Sequence, residues 1–453
     1  MVAPSVEPRR ERWLLAFATI AIFATRLPWI GAGYGSDPDG YRVVLAARAI
    51  AQTGQYRASR LPGFPVYEYL TALSAQGPPW LSNAITAVFS AAAFVLLVLI
   101  LRYFKVGAAV LIAAGFAMTP VIYLNSCCTM DYVPALALML GATYALLQHR
   151  LMLAGLCLGL ATGCRITAGV LGIAMCLWLW LEYSPRRAIT ACLLLGSTSL
   201  LVAALCFVPV YRQYGSDFFS FYDNAWYPPW NVVYARALPN VWGYPGLLAL
   251  AALLLAAPFY TSALRERWRE RWRERRTRHG VAFAGLAVVL YGLIFLRLPD
   301  ESGYLVPEVP LVLLLIALLS PMRVSAALAV ALLLSGWGPM AEDHAVRASQ
   351  QQATSAVIAA VAKLPGAAIV VSGWLLPRIQ LALGSDREGP HQFVYLVENL
   401  GDYQHYLAEG HALYFVPGVE LYESQAHELE LAELGALPLA VPRELQRAAS
   451  TGE

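Results

Sequence analysis

Residues 13–40 read WLLAFATIAIFATRLPWIGAGYGSDPDG, an apolar run that ends in two aspartates one residue apart, Asp37 and Asp39. Such a run is long enough to cross a bilayer core, which takes about 20 apolar residues. Arg9, Arg10 and Arg12 precede it, as in a secretion signal. Pro28 and Trp29 stand at its exit where small residues would mark cleavage, so it reads as a retained span. The rest of the chain repeats the pattern. Of 453 residues, 58% are hydrophobic and 13% charged, and mean hydropathy is +0.55. Soluble domains carry about 25% charged residues, so lipid is the main solvent of this chain.

Apolar runs predict a mainly α polytopic membrane bundle of about eleven segments, at roughly 13–30, 83–104, 107–124, 132–147, 151–163, 166–183, 188–210, 243–262, 281–297, 304–320 and 324–340. The basic residues of the short connections set the orientation. With the N-terminus cytoplasmic, Arg102 with Lys105, Arg150, Arg186 with Arg187, Arg323 and the run RERWRERWRERRTRH (265–279) all fall on the inner side. That run reads as a membrane-surface helix with tryptophans at the headgroups, and no nucleic-acid partner is expected. The seven cysteines show neither CxxC nor Cys/His spacing, so neither a zinc site nor a disulfide framework is expected. Segments 151–163 and 166–183 are short and are broken around Arg165; a charge at such a break should face a partner or a cavity.

An odd number of segments leaves residues 341–453 outside. There AAIVVSG, HQFVYLV and ALYFVPG read as buried strands, separated by helical stretches near 346–363, 374–382 and 399–409. Strand and helix in alternation predict a small α/β domain with a mainly parallel sheet. The expected division is therefore a membrane domain over 1–340 and an extracytoplasmic domain over 341–453, in a multi-pass protein of the plasma (inner) membrane.

The loops on the predicted outer side carry the chemistry. After Asp37 and Asp39, the residues Val43, Val44, Ala46, Ala47 and Ile50 form one apolar helical face, as in a helix lying along the membrane surface. Helix capping accounts for one aspartate and leaves the second unexplained. Glu68 and Arg60 follow in the same loop, Asp131 opens a later span, and RLPDESGYLVPEVP places Arg297, Asp300, Glu301 and Glu308 at one edge. Asp37, Asp39, Glu68 and Asp131, if gathered with Arg60, Arg165 and Arg297, make a site of both signs. Such a site suits group transfer from a lipid phosphate: cations or a metal hold the phosphate, and a carboxylate deprotonates the attacking hydroxyl. Asp37, Asp39 and Asp131 are the candidate ligands of a divalent cation.

At these residues the chain resembles the GT-C superfamily of integral-membrane glycosyltransferases, among them the protein O-mannosyltransferases and the lipid A aminoarabinose transferase. The resemblance rests on the order of five motifs over about residues 10–340. They are SDPDGYRVVLAARAIAQTGQY, the proline-bearing SRLPGFPVYEYL, CCTMDYVPALALML, AGLCLGLATGCRITAGVLG and GYLVPEVPLVLLLIAL. It implies that Asp37 is the catalytic base, Asp39 a supporting or metal-facing carboxylate, Asp131 a further acidic partner and Arg165 a contact of the carrier phosphate, with Tyr304 in the late motif. The chain departs from the common pattern with Asp-Pro-Asp in place of Asp-Glu, arginine in place of lysine at 165, and RLPDES where many relatives have a basic pair. The implied function is inverting transfer of a sugar from a polyprenyl-phosphate carrier to a hydroxyl of a glycan, lipid or protein acceptor at the outer membrane face. A transporter or flippase for a lipid-linked precursor is the rival reading.

Overall fold

The computed structural model describes residues 9–217, 227–256, 272, 274–384, 391–395, 401, 403–417, 431 and 434–440. The chain is mostly helical, with a small parallel sheet near its C-terminus. Five described helices are long and apolar enough to cross a membrane, or six when a pair bent by 66° is taken as one span. Several other expected segments form shorter apolar helices. Most of the basic run 265–279, and the end of the 243–262 segment, lie outside the described residues.

The N-terminal half comprises α1 (Arg9–Ala24), α2 (Pro38–Thr53), α3 (Pro65–Ala72), α4 (Pro79–Tyr103), α5 (Ala109–Met118), α6 (Pro120–Asn125), α7 (Tyr132–Leu147), α8 (Leu151–Cys164), α9 (Leu171–Glu182) and α10 (Pro185–Tyr214). The expected 107–124 segment is two helices because Pro120 cannot donate the helical hydrogen bond; Thr119 before it is extended, with ψ 133°. Proline also opens α2, α3, α4 and α10, where its missing N–H costs nothing. Next come α11 (Trp230–Ala237), α12 (Pro239–Ala256), α13 (Arg275–Arg297), α14 (Glu308–Leu319), α15 (Met322–Ser335) and α16 (Trp337–Val361).

The main core draws Phe94, Leu97, Phe116, Leu140, Leu158, Trp178 and Phe283 from α4, α5, α7, α8, α9 and α13. Close approach of α8 to α10 depends on Gly155, Gly159 and Gly163, at successive turns of α8. A Cβ on Gly159 would fall 2.7 Å from the Ser199 carbonyl oxygen, and one on Gly155 2.8 Å from that of Leu195. The two backbones therefore touch, and α8 stands in a fixed position with Arg165 at its end.

The apolar face expected on α2 is buried: Val43, Val44 and Ala47 are 0% exposed. Its partners are protein. Val43 packs with Tyr67, Ala135 and Cys164, and Val44 with Tyr34 and Ala75. In this way α2 is tied to α3, α7 and α8, the elements that carry the charged residues.

Near the C-terminus, β1 (Ala368–Val371), α17 (Leu376–Leu383), β2 (His391–Val394), α18 (Gln404–Ala408), β3 (Ala412–Phe415) and β4 (Leu437–Pro438) follow one another. The sheet order is β2-β1-β3-β4 and every pair is parallel. All the expected strands are present, and β4 is an addition. Alternation along β1 divides two cores: Val370 faces Val357, Val361 and Ile379, whereas Ile369 and Val371 face Val394 and Leu413. Helix α16 runs through position 340/341, and both α16 and α17 touch the N-terminal part of the chain.

Candidate active site

Asp37 is the N-cap of α2. Its backbone is extended (φ −71°, ψ 131°), and its Oδ1 accepts the Asp39 N–H at 2.7 Å. The adjoining Pro38 supplies the preferred first helical residue. Asp39, two residues on, pairs through Oδ1 with Arg42 at 2.8 Å and through Oδ2 with Arg60 at 2.9 Å. The two aspartates thus have separate roles: one caps, the other anchors guanidiniums.

Arg60 lies on the loop between α2 and α3, and Glu68 holds that loop in shape. Glu68 is 0% exposed and accepts from Tyr56 Oη (2.5 Å), Ser59 N (2.7 Å), Ser59 Oγ (2.6 Å) and Phe64 N (3.1 Å). Both of its oxygens are used inside the loop, so what Glu68 does in this structure is shape the segment that carries Arg60. The shaped loop delivers Arg60 to Asp131, Nη2 to Oδ1 at 3.1 Å, while Arg165 Nη1 reaches the other oxygen, Oδ2, at 2.6 Å. Asp131 occupies the N-cap position of α7 but makes no cap hydrogen bond. Its carboxylate is fully buried between the two arginines.

Arg165 stands at the helix break expected from the sequence. Helix α8 ends at Cys164, Arg165 is extended (φ −150°, ψ 121°), and a single 3-10 turn, Ile166–Val170, follows. The guanidinium lies 3.8 Å from the Tyr132 ring centroid, 5.0 Å from that of Tyr304 and 5.6 Å from that of Phe64. Aromatic faces stabilise a partly desolvated cation. Arg60 shares one of these rings, 4.2 Å from the Phe64 centroid.

A member of the site that sequence reasoning placed only at an edge is Glu301, between α13 and the 3-10 turn Ser302–Leu305. It accepts a hydrogen bond from Tyr132 Oη, and its carboxylate approaches those of Asp37 and Asp39. Gly303 makes this closure feasible, because a Cβ there would lie 2.4 Å from the Tyr132 ring. That glycine is the local sign of Glu301 in the sequence; its pairing with residues some 260 positions earlier has no sequence sign. Arg297, by contrast, is exposed at the end of α13 and is not brought into the cluster.

Like charge and burial raise the affinity of these acids for protons. Asp37 is pushed well above the ordinary carboxylate range by burial first, then by Glu301 and Asp39. Glu301 is raised by burial and then by Asp39.

Asp37, Asp39 and Glu301 bring ligand oxygens within 4.8 Å of one another. Asp131, expected among the metal candidates, has both oxygens engaged by arginine, and Glu301 takes its place in the acidic group. Asp39 is likewise held on both oxygens, which leaves Asp37 Oδ2 and Glu301 Oε1 as donors. Two such oxygens suit a Mg²⁺-type ion once a phosphate completes its shell. Arg42, Arg60 and Arg165 already supply positive charge at the same place.

No family model and no curated protein matches the chain. Among solved structures, it is similar to ArnT from Cupriavidus metallidurans bound to undecaprenyl phosphate, with a TM-score of 0.58 and 13% identity over 88% of each chain. More distant likenesses are to the apo form of that protein (TM-score 0.47, 16% identity, 79% of this chain and 66% of that one) and to the arabinofuranosyltransferase AftD from Mycobacteria (TM-score 0.48, 15% identity). The AftD likeness covers 86% of this chain and 32% of the larger protein. The chain thus shares the fold of this ArnT structure, as the resemblance to the GT-C enzymes led us to expect.

Proposed function

We propose that the protein is a glycosyltransferase that moves a sugar from a polyprenyl-phosphate carrier to an acceptor hydroxyl, with inversion, at the outer face of the plasma membrane. The observation that carries this reading is the pair of guanidiniums bridged by Asp131 beside Asp37. Arg60 Nη1 in this pair is buried with no hydrogen-bond partner among the described residues. A buried charged donor left unpaired is costly, and a phosphate oxygen is the natural acceptor for it. The fold adds support, because the ArnT structure of the same fold holds undecaprenyl phosphate.

The residues divide the reaction as follows. Asp37 keeps Oδ1 on the helix cap and offers Oδ2 to the acceptor hydroxyl. The hydroxyl oxygen attacks the anomeric carbon and its proton passes to Oδ2. The bond between that carbon and the phosphate oxygen breaks on the opposite side, which inverts the configuration. Polyprenyl phosphate leaves with the extra negative charge, against Arg60 and Arg165. Asp39 and Asp131 orient those arginines. Positioned charge of this kind contributes about 3–4 kcal/mol to a barrier per donor. The acceptor is a glycan, lipid or protein hydroxyl, and the C-terminal region lies on the same side of the membrane as the site.

The direct test gives purified protein a sugar-charged polyprenyl phosphate and an acceptor. Free polyprenyl phosphate and glycosylated acceptor should appear in equal amounts. Movement of intact donor across a vesicle bilayer, with no cleavage, would instead establish the flippase reading.

The raised proton affinity of Asp37 adds a pH signature. A base acts when deprotonated, so the rate falls as pH drops through its pKa. That acid limb should lie well above the range near 4 of an unperturbed aspartate. Glu301→Gln removes a negative charge that favours the protonated form, so the limb should move to lower pH. A limb that stays in place in the variant would separate Asp37 from the proton transfer.

A further inference from the structure

The C-terminal region holds the acidic loop at several points, and the proposed reaction leaves these contacts unexplained. Arg378 on α17 is 4% exposed, and its Nη2 donates to the carbonyl of Gly35 (3.3 Å), to that of Ser36, and to Gln350 Oε1 (2.6 Å). Its guanidinium also lies 4.5 Å from the Tyr41 ring centroid. Independently, Ser36 Oγ donates to Asp343 Oδ1 at 2.5 Å. Arg347, ion-paired with Asp343 at 2.6 Å, donates through Nη1 to the Cys127 carbonyl at 2.9 Å. Asp343, Arg347 and Gln350 occupy one face of α16 at helical spacing. That single face therefore grips both acid-bearing loops, the one before Asp37 and the one before Asp131. The loops are also joined to each other by Thr129 N donating to the Tyr34 carbonyl at 2.8 Å.

The held segment needs such support. It is GAGYGSD, with Gly33 at φ 70° and Gly35 at φ 141°. Glycines lose more freedom on ordering than other residues, so on its own this loop would sample many directions for Asp37. The Gly35 and Ser36 carbonyls that Arg378 binds are the two units immediately before the proposed base.

We propose that Arg378 is a positioning residue for Asp37, and that α16 and α17 form a clamp that fixes the acidic loop for proton transfer. The kinetic part of this inference rests on the proposed glycosyl transfer; the structural part does not. Arg378→Lys keeps the charge and loses the planar fork, and Ser36→Ala removes the second tie with little change in volume. A displacement of about 1 Å at a reacting group costs on the order of 10²-fold in rate. Each variant should lower kcat about 10-fold and the pair about 100-fold, with the donor KM nearly unchanged. Deuterium uptake at the amides of Gly33–Tyr41 should rise in the same variants while α4 and α7 stay protected.

Wild-type kcat in the double variant, or a loss confined to donor KM, would overturn the assignment, as would unchanged uptake in Gly33–Tyr41. If Arg378→Lys fails to fold, Ser36→Ala and Asp343→Asn provide the same comparison. A wild-type protein that transfers no sugar would defeat the proposed function alone, and the exchange measurement would still decide the clamp.

Discussion

Asp37→Asn should lower the rate of sugar transfer by about 10²–10⁴-fold and leave the folded protein at least as stable as the wild type. Asparagine caps helices as well as aspartate does, so the Asp39 N–H keeps its acceptor and α2 keeps its start. What is lost is the oxygen able to take a proton. Repulsion also falls, because Asp37 stands beside Asp39 and Glu301, and that crowding is part of what drives up its proton affinity. The measurement is turnover per folded molecule, with a melting curve on the same sample. Asp39→Asn is the informative companion. Asp39 holds Arg42 and Arg60 rather than facing a hydroxyl, so its loss should act through weaker binding of the phosphate. A fully active Asp37→Asn protein beside a dead Asp39→Asn one would reverse the two roles.

Asp131→Ala should have the largest effect on the fold. Its carboxylate is completely buried and serves Arg60 and Arg165 at once. Removing it leaves two guanidiniums packed against Phe64, Tyr132 and Tyr304 with no counter-charge at that position. Breaking a buried ion pair from one side costs about 3–5 kcal/mol, and here Arg165 loses its pair with Asp131 while Arg60 is left with Asp39. Melting in detergent should show a clear loss, and transfer should be abolished even in the fraction that remains folded. Asp131→Asn tests charge apart from size: it retains the acceptor oxygen and should recover part of the stability but little of the activity. A melting curve unchanged in Asp131→Ala would mean that the arginines find other acceptors and that the bridge is not what holds them.

Much of this arrangement was legible in the sequence, for reasons that differ from residue to residue. Arg165 could be recognised because a charge interrupting an apolar stretch has few tolerable places in lipid. The strands β1, β2 and β3 could be recognised because short β-branched and aromatic runs bounded by glycine or proline favour strands, although so short a run does not by itself rule out helix. The acidic pair stood out by contrast with the run before it, although which aspartate caps α2 depends on a backbone angle that the sequence does not show. Glu301 was visible only as one of several acids at an edge, since its role comes from a turn closing onto Tyr132. Glu68 misled for the opposite reason: a carboxylate in the right loop is as well suited to receive backbone N–H groups as to meet a substrate, and here it does the former. The reach of Arg378 to Gly35 and Ser36 spans more than three hundred positions, and no local pattern announces it.

The glycine contact between α8 and α10 has a consequence beyond packing. Helix α10 has 30 residues, a length of about 45 Å at 1.5 Å per residue, against a hydrocarbon layer about 30 Å thick. Polar ends such as Arg186, Arg187 and Arg212 account for part of the excess, and a helix of this length is expected to lean for the rest. Because α8 brings no side chain of its own to α10 at Gly155 and Gly159, where it rests on the α10 backbone and on Thr198 and Val202, a change in the lean of α10 should carry α8 along, and with it the guanidinium at its tip. The rate of the proposed transfer should therefore vary with lipid chain length, through a contact between two helices and not through the tails themselves.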